Sequence, residues 1–184
     1  MNLKEKQVKE NYIYHGKIIN LRCDDALSAD EKPVCREVVE HPGGVCVAAL
    51  TRQHEILLVR QYRYPYSEII WEIPAGKRDK KGESPLDCGR RELREETGAT
   101  AEHYIFLGEL YPTPGYCDEV IYMYAAYGLT FGDTDFDEDE AIECEKVPFD
   151  TAVEMVLSGE IKDAKTQAAI LKVKYLLDKG EIRV

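Results

Sequence analysis

Short apolar or alternating runs fill the first 75 residues and predict β-strands. They are bounded by turn-forming residues such as Gly and Pro, as strands in a sheet usually are. The two most apolar runs, 45–50 and 56–61, are separated only by a polar turn, so we expect them to form a buried hairpin. The predicted strands cover residues 11–25 (divided at Gly16), 35–40, 45–50, 56–61 and 69–73.

The pattern changes to helical signals at Ser84. Ser84 suits the N-cap, Pro85 suits the first helical position and Gly98 suits the C-terminal end, so we predict a helix from Pro85 to about Thr97. Strands and then helices follow in the rest of the chain. Strands mixed with helices in this order indicate an α/β (α+β) fold. The further predicted strands are 104–109, 120–127 and 141–147, and the helices are 149–157 and 164–177.

Composition narrows the classes of protein. The net charge of −11 argues against a nucleic-acid partner, because phosphate backbones are bound by basic surfaces. No apolar stretch is long enough to cross a membrane, and the charged N-terminal residues do not resemble a secretory signal. The six cysteines form no CxxC pair and no Cys/His cluster of the kind that binds zinc. We therefore expect a cytoplasmic protein with free thiols.

The predicted helix carries a cluster of carboxylates. At about 100° per residue, Glu92, Glu95 and Glu96 fall within an arc of about 100° on one face. Cys88 and Gly89 fall in the same arc, and we expect their small size to leave room there for a metal and its ligand. Like charges on one helical face repel each other, and a hard divalent cation such as Mg²⁺ would reverse that balance. The alternative is an ordinary solvated face of a charged helix.

The segment 76–99 resembles the Nudix box, whose pattern is Gly-x5-Glu-x7-Arg-Glu-U-x-Glu-Glu-x-Gly-U, with U aliphatic. The second half, from Arg91 to Ala99, matches without departure. In the first half, six residues rather than five separate Gly76 from Glu83, which we interpret as an insertion in the basic loop 78–81. The insertion leaves the placement of Glu83 open but not the helix register. The resemblance implies the Nudix fold, a mixed β-sheet sandwiched between helices.

The resemblance also implies a metal site. In this interpretation Glu92, Glu96 and the carbonyl of Ala75 bind Mg²⁺, for which Mn²⁺ can substitute. Glu95 lies in or near the metal's coordination sphere and takes part in catalysis, and Arg91 orients the glutamates. Metal ions held in this way clamp a pyrophosphate and lower the pKa of an attacking water.

Segments outside the box resemble ADP-ribose pyrophosphatases within the Nudix superfamily. They are residues 36–44, 61–65, 71–76 and 111–119, together with the shorter 163–166. Pro114 lies sixteen residues past Gly98, the spacing that distinguishes this subfamily. The resemblance implies Mg²⁺-dependent hydrolysis of ADP-ribose, or a related nucleoside diphosphate sugar, to AMP and ribose 5-phosphate. The alternatives are a Nudix pyrophosphatase for GDP-mannose, FAD or a dinucleotide polyphosphate, and a non-catalytic ADP-ribose sensor.

The subfamily resemblance also implies substrate-binding residues. Arg63 is expected to contact a phosphate, with a surface salt bridge as the alternative. Arg36 is expected to contact substrate across a dimer, with an exposed position at a strand edge and no role in binding as the alternative. Glu72 is as compatible with a structural role as with substrate binding. Pro114 and Gly115 complete the expected set, in the loop after the box.

An acidic run, 135–140, precedes the strand expected at 141–147. It could be a solvated loop, but in the family the catalytic carboxylate lies on a loop in this region. The resemblance therefore implies Glu140 as the general base or water-orienting group, with Glu138 as the alternative.

The domain organisation follows from the same resemblance. Residues 1–41 are expected to form an N-terminal β extension that mediates dimerisation, and residues 42–184 the Nudix hydrolase domain. The expected partners are a small nucleoside diphosphate sugar and a second copy of the chain, with no nucleic acid and no membrane.

Overall fold

The computed structural model describes residues 2–134 and 141–184. The chain divides into two compact units, Met1–Gly43 with Tyr111–Val120, and Gly44–Leu110 with Ile121–Val184. The loop after the box therefore belongs with the N-terminal part of the chain, while the predicted boundary after residue 41 stays a prediction. Within the described ranges, no helix is both long enough and apolar enough to span a membrane.

The first unit is a small antiparallel sheet around one central strand. Its strands are β1 (Lys6–Lys9), β2 (Tyr12–His15), β3 (Asn20–Leu27) and β4 (Pro33–Glu40). Strand β4 pairs with the whole length of β3, and β1 and β2 pair with its two ends. The loop Tyr111–Val120 is attached to β4, because the Val39 amide donates to the Tyr116 carbonyl at 2.7 Å and the Asp118 amide donates to the Val39 carbonyl at 3.1 Å.

The second unit contains a seven-stranded mixed sheet. Its main order is β11-β6-β5-β10-β9, with β7 on β6 and β8 on β5. Strands β5 and β10 are parallel, and the other pairs are antiparallel. The elements are β5 (Gly44–Leu50), β6 (Glu55–Arg63), a 3-10 turn (Tyr64–Tyr66), β7 (Glu68–Glu72), β8 (Ala75–Lys77), α1 (Pro85–Thr97), β9 (Ala99–Leu110), β10 (Ile121–Phe131), β11 (Ile142–Pro148), α2 (Phe149–Leu157) and α3 (Ala164–Asp178).

Alternate residues of β5 build two separate cores, because successive side chains of a strand point to opposite faces. Val45, Val47 and Ala49 join Cys88 and Leu93 of α1 in one apolar cluster. The intervening β5 residues join α2 and α3 in the other; they are Cys46, Ala48 and Leu50. Helices thus cover both faces of a mixed sheet, as the resemblance to the Nudix box implies.

Helix α1 has the predicted ends. The side chain of Ser84 accepts a hydrogen bond from the Asp87 amide at 3.1 Å. Gly98 adopts the left-handed conformation, with φ of 67°, and its amide donates to the Arg94 carbonyl at 2.8 Å. Both caps satisfy backbone groups that a helix leaves unpaired at its ends. The register of the box helix is therefore fixed by local interactions.

Other predictions were incomplete or wrong. The expected hairpin of β5 and β6 pairs only at Leu50 and Ile56, because β5 takes β10 and β8 as its neighbours instead. Strands β1 and β8 were not predicted, since one is highly charged and the other is a three-residue segment centred on Gly76. Strands β9 and β10 are longer than expected.

Candidate active site

Strand β8 and helix α1 bring the two ends of the box together. The amide of Ala75 donates to Oε2 of Glu96 at 3.2 Å. Glu96 is only 4% exposed, so its carboxylate is buried beside β8 rather than in solvent. The backbone of Ala75 and the carboxylate of Glu96, which the family resemblance assigns to one metal, therefore lie side by side.

Gly76 leaves the space that the Glu92 carboxylate occupies. A Cβ added to Gly76 would lie 2.0 Å from Cδ and 2.1 Å from Oε1 of Glu92. A Cβ at this distance would force the Glu92 carboxylate to move, so the position of that carboxylate in this structure depends on a glycine at 76. Its φ is not positive, which means that the requirement is steric rather than conformational.

Arg91 links the acidic residues of the box. Its Nε and Nη2 donate to the two carboxylate oxygens of Glu83 at 2.9 and 3.1 Å. Its Nη1 lies 2.7 Å from Oε1 of Glu92 and 2.8 Å from Oε2 of Glu95. The hydrogen bonds to Glu83 and Glu95 and the charge of Glu92 raise the pKa of Arg91 despite its partial burial. The arginine thus remains a cation and holds three carboxylates in place.

The extra residue of the box is absorbed in the loop before α1. The Glu83 amide donates to the Lys80 carbonyl at 3.1 Å, closing a turn in which Gly82 has a φ of 84°. Glu83 nevertheless accepts a hydrogen bond from the Arg91 guanidinium, and this bond lowers the pKa of Glu83. The insertion therefore lengthens the loop without displacing Glu83 from the arginine.

The small residues of α1 have a different role from the one expected. Cys88 is fully buried and its pKa is raised to about 12 by burial. A Cβ on Gly89 would lie 3.1 Å from Val45 and 3.2 Å from Val47. Both positions therefore allow α1 to approach the sheet closely, and the expectation that they leave room for a metal was wrong.

The donor set of the box suits a hard divalent cation. Glu92, Glu95 and Glu96 offer carboxylate oxygens on one end of a rigid helix, beside the backbone of Ala75. Among residues 2–134 and 141–184, no three acidic, His or Cys side chains are already grouped as a metal site. In this arrangement Arg91 stands close to Glu92 and Glu95. A bound cation would therefore compete with a guanidinium for part of its ligand set.

A second charged cluster, which we call the Glu72 cluster, comprises Arg63, Glu72, Asp163, Lys165 and Thr166. Arg63 holds Glu72 through two parallel hydrogen bonds, Nε to Oε1 at 2.5 Å and Nη2 to Oε2 at 2.7 Å. Lys165 also donates to Oε2 of Glu72. The Glu72 side chain is 2% exposed, against 39% for Arg63. Glu72 is therefore a buried partner of two cations, and only Arg63 reaches towards solvent.

The ionisation of Glu72 contributes to stability over a defined pH range. Burial alone would raise the pKa of Glu72, but the hydrogen bond from Arg63 and the charges of Lys165 and Arg63 outweigh it and lower the pKa. A lowered folded-state pKa stabilises the native protein above the unfolded value of about 4.3, and that stability is lost as the pH falls through the folded value.

We therefore expect the free energy of unfolding of Glu72→Gln to depend less on pH in the acidic range than that of the wild type. At pH 7 the variant should be less stable by about 3 kcal/mol, because the buried Lys165 and the partly exposed Arg63 both lose the carboxylate that they share. The gap to the wild type should narrow as the pH falls below about 4.3, where the carboxylate of the unfolded chain becomes protonated, and should close as the pH passes the lower pKa of the folded state. Denaturant unfolding from pH 7 to pH 3 measures this, with exposed Glu160→Gln as the control. Parallel curves would contradict the assignment.

The remaining predicted substrate residues lie in the first unit. Arg36 forms a forked pair with Glu5, with Nε to Oε2 at 2.8 Å and Nη2 to Oε1 at 2.5 Å. Pro114 and Gly115 are exposed in the loop that is attached to β4, and a Cβ on Gly115 would meet nothing within 4 Å. Their proposed contacts with substrate stay predictions. Glu140 and Glu138 lie outside the described residues.

Sequence reasoning did not assign a role to Lys165 or Thr166. Thr166 is fully buried, and its hydroxyl accepts from the Ile73 amide at 2.9 Å. Asp163 caps α3 by accepting from the amide and hydroxyl of Thr166 at 2.9 and 2.6 Å. An Asp three residues before a Thr at the start of a helix is a capping signal that could have located this turn. Its connection to Glu72 is non-local and carries no sequence signal.

Comparisons with known proteins identify the family. A family model described as NUDIX domain matches residues 40–169. The chain is 40% identical over 171 residues to the ADP-ribose pyrophosphatase of Bacillus subtilis (strain 168), covering 92% of each protein. It is 38% identical over 175 residues to the methanol dehydrogenase activator of Bacillus methanolicus, covering 94% of this chain and 92% of that protein. The chain belongs to the Nudix family.

A solved structure supports the fold independently. The crystal structure of an ADP compounds hydrolase superposes with a TM-score of 0.84 over 97% of both chains, at 19% sequence identity. The predicted α/β (α+β) Nudix fold is thereby confirmed. The resemblance to ADP-ribose pyrophosphatases is also confirmed, as a similarity that extends well beyond the box.

Proposed function

We propose that this protein hydrolyses the pyrophosphate bond of ADP-ribose and related nucleoside diphosphate sugars, releasing AMP and ribose 5-phosphate from ADP-ribose. The observation that carries the proposal is the arrangement of Glu92, Glu95 and Glu96 around Arg91 and Ala75. The similarity to an ADP-ribose pyrophosphatase over 92% of the chain supports the choice of substrate.

We propose Mg²⁺ as the metal, with Mn²⁺ as a substitute. Glu92, Glu96 and the Ala75 carbonyl are the proposed ligands, and Glu95 lies close to them. A bound divalent cation neutralises pyrophosphate charge and lowers the pKa of a coordinated water. The protein's own contribution is a rigid helix end, fixed by the Gly98 cap, and an arginine that keeps the carboxylates in position.

The substrate residues are proposed from the subfamily resemblance, and only for Arg63 does the geometry add support. Arg63 uses the Nε and Nη2 side of its guanidinium for Glu72, so the opposite edge is the one we assign to a substrate phosphate. Arg36, Pro114 and Gly115 are proposed as further substrate contacts. Glu140 is the proposed general base, and Glu138 is the alternative.

A substrate panel tests the proposed function. ADP-ribose, GDP-mannose, FAD and diadenosine polyphosphates would be incubated with the full chain and Mg²⁺ or Mn²⁺, and the products identified by mass. We expect the highest kcat/KM for ADP-ribose, with AMP and ribose 5-phosphate as products. A clear preference for GDP-mannose, FAD or a dinucleotide polyphosphate would change the assigned substrate but not the assigned reaction. No metal-dependent turnover of any compound would refute the proposal.

The alternative of a non-catalytic ADP-ribose sensor is less well supported. The observation that favours it is the name of one relative, a methanol dehydrogenase activator. A sensor has no need of the metal-binding carboxylates, yet Glu92, Glu95 and Glu96 are all present here. Their retention favours catalysis.

We also propose that the protein is a cytoplasmic homodimer. Apolar side chains on and around the N-terminal strands are exposed, including Val8 at 60%, Ile13 at 64% and Tyr14 at 56%. Burial of such side chains against a second copy of the chain would remove apolar surface from water. Light scattering of the full chain and of a chain lacking residues 1–40 tests this, and a monomeric mass for the full chain would refute the dimer.

A further inference from the structure

The Glu72 cluster joins the first turn of α3 to the segment between Glu72 and Ala75. Lys165 pairs with both carboxylates of the cluster, contacting Glu72 and lying 3.0 Å from Oδ1 of Asp163. The Thr166 hydroxyl accepts a hydrogen bond from the Ile73 amide at 2.9 Å. This short segment therefore has Arg63 bound at its first residue and the proposed metal-binding carbonyl at its last.

Because Lys165 and Glu72 are buried, the contacts between them restrict the positions of both side chains. The side chains of Lys165 and Glu72 are 11% and 2% exposed, so water cannot replace a lost partner easily. Burial alone would lower the pKa of Lys165, but Glu72 and Asp163 raise it, which keeps the ammonium charged. Two cations and two carboxylates thus neutralise each other. The removal of one of them leaves another without its partner.

The orientation of Arg63 depends on the cluster. Arg63 is bound by Glu72 through a planar two-bond fork, which fixes the plane of the guanidinium as well as its position. Oε2 of Glu72 is shared between Arg63 and Lys165. A change at Lys165 therefore alters the carboxylate to which Arg63 is bound.

We propose that the first turn of α3 is a positioning element for substrate binding, in which Lys165, held by Asp163, fixes Glu72 and through it the guanidinium of Arg63. This inference rests on the proposed function, in which Arg63 contacts a substrate phosphate. Lys165 is a positioning residue, and its side chain acts through Glu72.

Lys165→Met tests the inference, because it removes the charge and keeps an unbranched side chain. We expect the KM for ADP-ribose to rise by about tenfold or more, since misplacement of a binding group by about 1 Å can cost up to about 10²-fold. The kcat should change much less, because the proposed metal ligands are retained. Lys172→Met is the matched control: it lies on the same helix and loses one hydrogen bond, to the Leu107 carbonyl at 2.7 Å.

Two further variants separate positioning from stability. Asp163→Asn keeps an oxygen for the Thr166 amide but removes the charge beside Lys165, and it should raise the KM by a smaller factor. The double variant Lys165→Met with Glu72→Gln should have a KM close to that of the worse single variant, because both act through one carboxylate. All variants are assayed at a temperature well below their thermal unfolding midpoints, which are measured in parallel.

The outcomes are distinguishable. A KM for Lys165→Met within about twofold of the wild type, or a loss confined to kcat or stability, would overturn the positioning role. If Lys165→Met does not fold, an unchanged KM in Asp163→Asn would overturn it equally. If the wild-type protein itself does not hydrolyse ADP-ribose, the proposed function fails instead.

Discussion

Replacement of Glu92 by Gln is expected to reduce kcat/KM for ADP-ribose by about 10³-fold at saturating Mg²⁺. A loss of this size corresponds to about 4 kcal/mol, in keeping with the several kcal/mol that a catalytic metal contributes. Gln keeps the shape of the side chain but loses the charge that a hard cation requires. Steady-state kinetics over a range of Mg²⁺ concentrations measures the effect.

Thermal unfolding with and without Mg²⁺ provides a second measurement on Glu92→Gln that does not depend on activity. Mg²⁺ should raise the unfolding midpoint of the wild type, because a ligand that binds only the native state stabilises it. The same increase should be absent or much smaller in the variant. Glu102→Gln, at a side chain that is 72% exposed, is the control and should behave as the wild type does. Full activity of Glu92→Gln at saturating Mg²⁺ would show that Glu92 is not a metal ligand.

Gly76→Ala is expected to impair metal binding while leaving the fold intact. The added Cβ would lie 2.0 Å from Cδ of Glu92, so the carboxylate must move. Because that carboxylate is the end of a flexible side chain, the backbone can stay in place and the free energy of unfolding should change by less than about 1 kcal/mol. A displaced metal ligand should lower kcat/KM by about 10²-fold.

The Mg²⁺ concentration for half-maximal activity should rise as well in Gly76→Ala. Gly132→Ala is a suitable control, since its Cβ would meet nothing closer than the Gly98 carbonyl at 3.9 Å. Wild-type kinetics for Gly76→Ala would mean that Glu92 has a second, equally effective position. A large loss of stability would mean that β8 rather than the carboxylate moves.

The box helix was predictable because its determinants are local. Ser84 and Gly98 define its ends through contacts within a few residues, and the spacing of Glu92, Glu95 and Glu96 places them on one face. The metal-site interpretation required only this register. The insertion before Glu83 could not be judged from sequence, because its effect depends on how the loop closes onto Arg91.

The pairing of β5 could not be predicted in the same way. The sequence offers β6 as the nearest partner, whereas β5 pairs along its whole length with β10, which begins more than seventy residues later. A fully apolar strand gives no indication of its neighbours, because both of its faces are buried. The two small residues of α1 were misinterpreted for a related reason: Gly89 faces Val45 and Val47 of this strand, and Cys88 belongs to the apolar cluster that contains them.

The Glu72 cluster illustrates another limit of sequence reasoning. Lysine is rarely buried, and a Lys in the first turn of a helix is ordinarily interpreted as a surface residue. The burial of Lys165 is balanced by two carboxylates, and one of them, Glu72, comes from a distant part of the chain. Arg63 and Glu72 were both singled out from sequence, but neither the fork between them nor its attachment to α3 could be.

Hydrolysis of ADP-ribose in water enriched in ¹⁸O tests the central claim most directly. With the wild-type protein and Mg²⁺, we expect AMP and ribose 5-phosphate in equal amounts, with one labelled oxygen in the phosphate of one product. Such labelling requires attack of water on a phosphorus of the pyrophosphate. The absence of these products, or products whose phosphates carry no label, would contradict the assignment of this protein as a nucleoside diphosphate sugar pyrophosphatase.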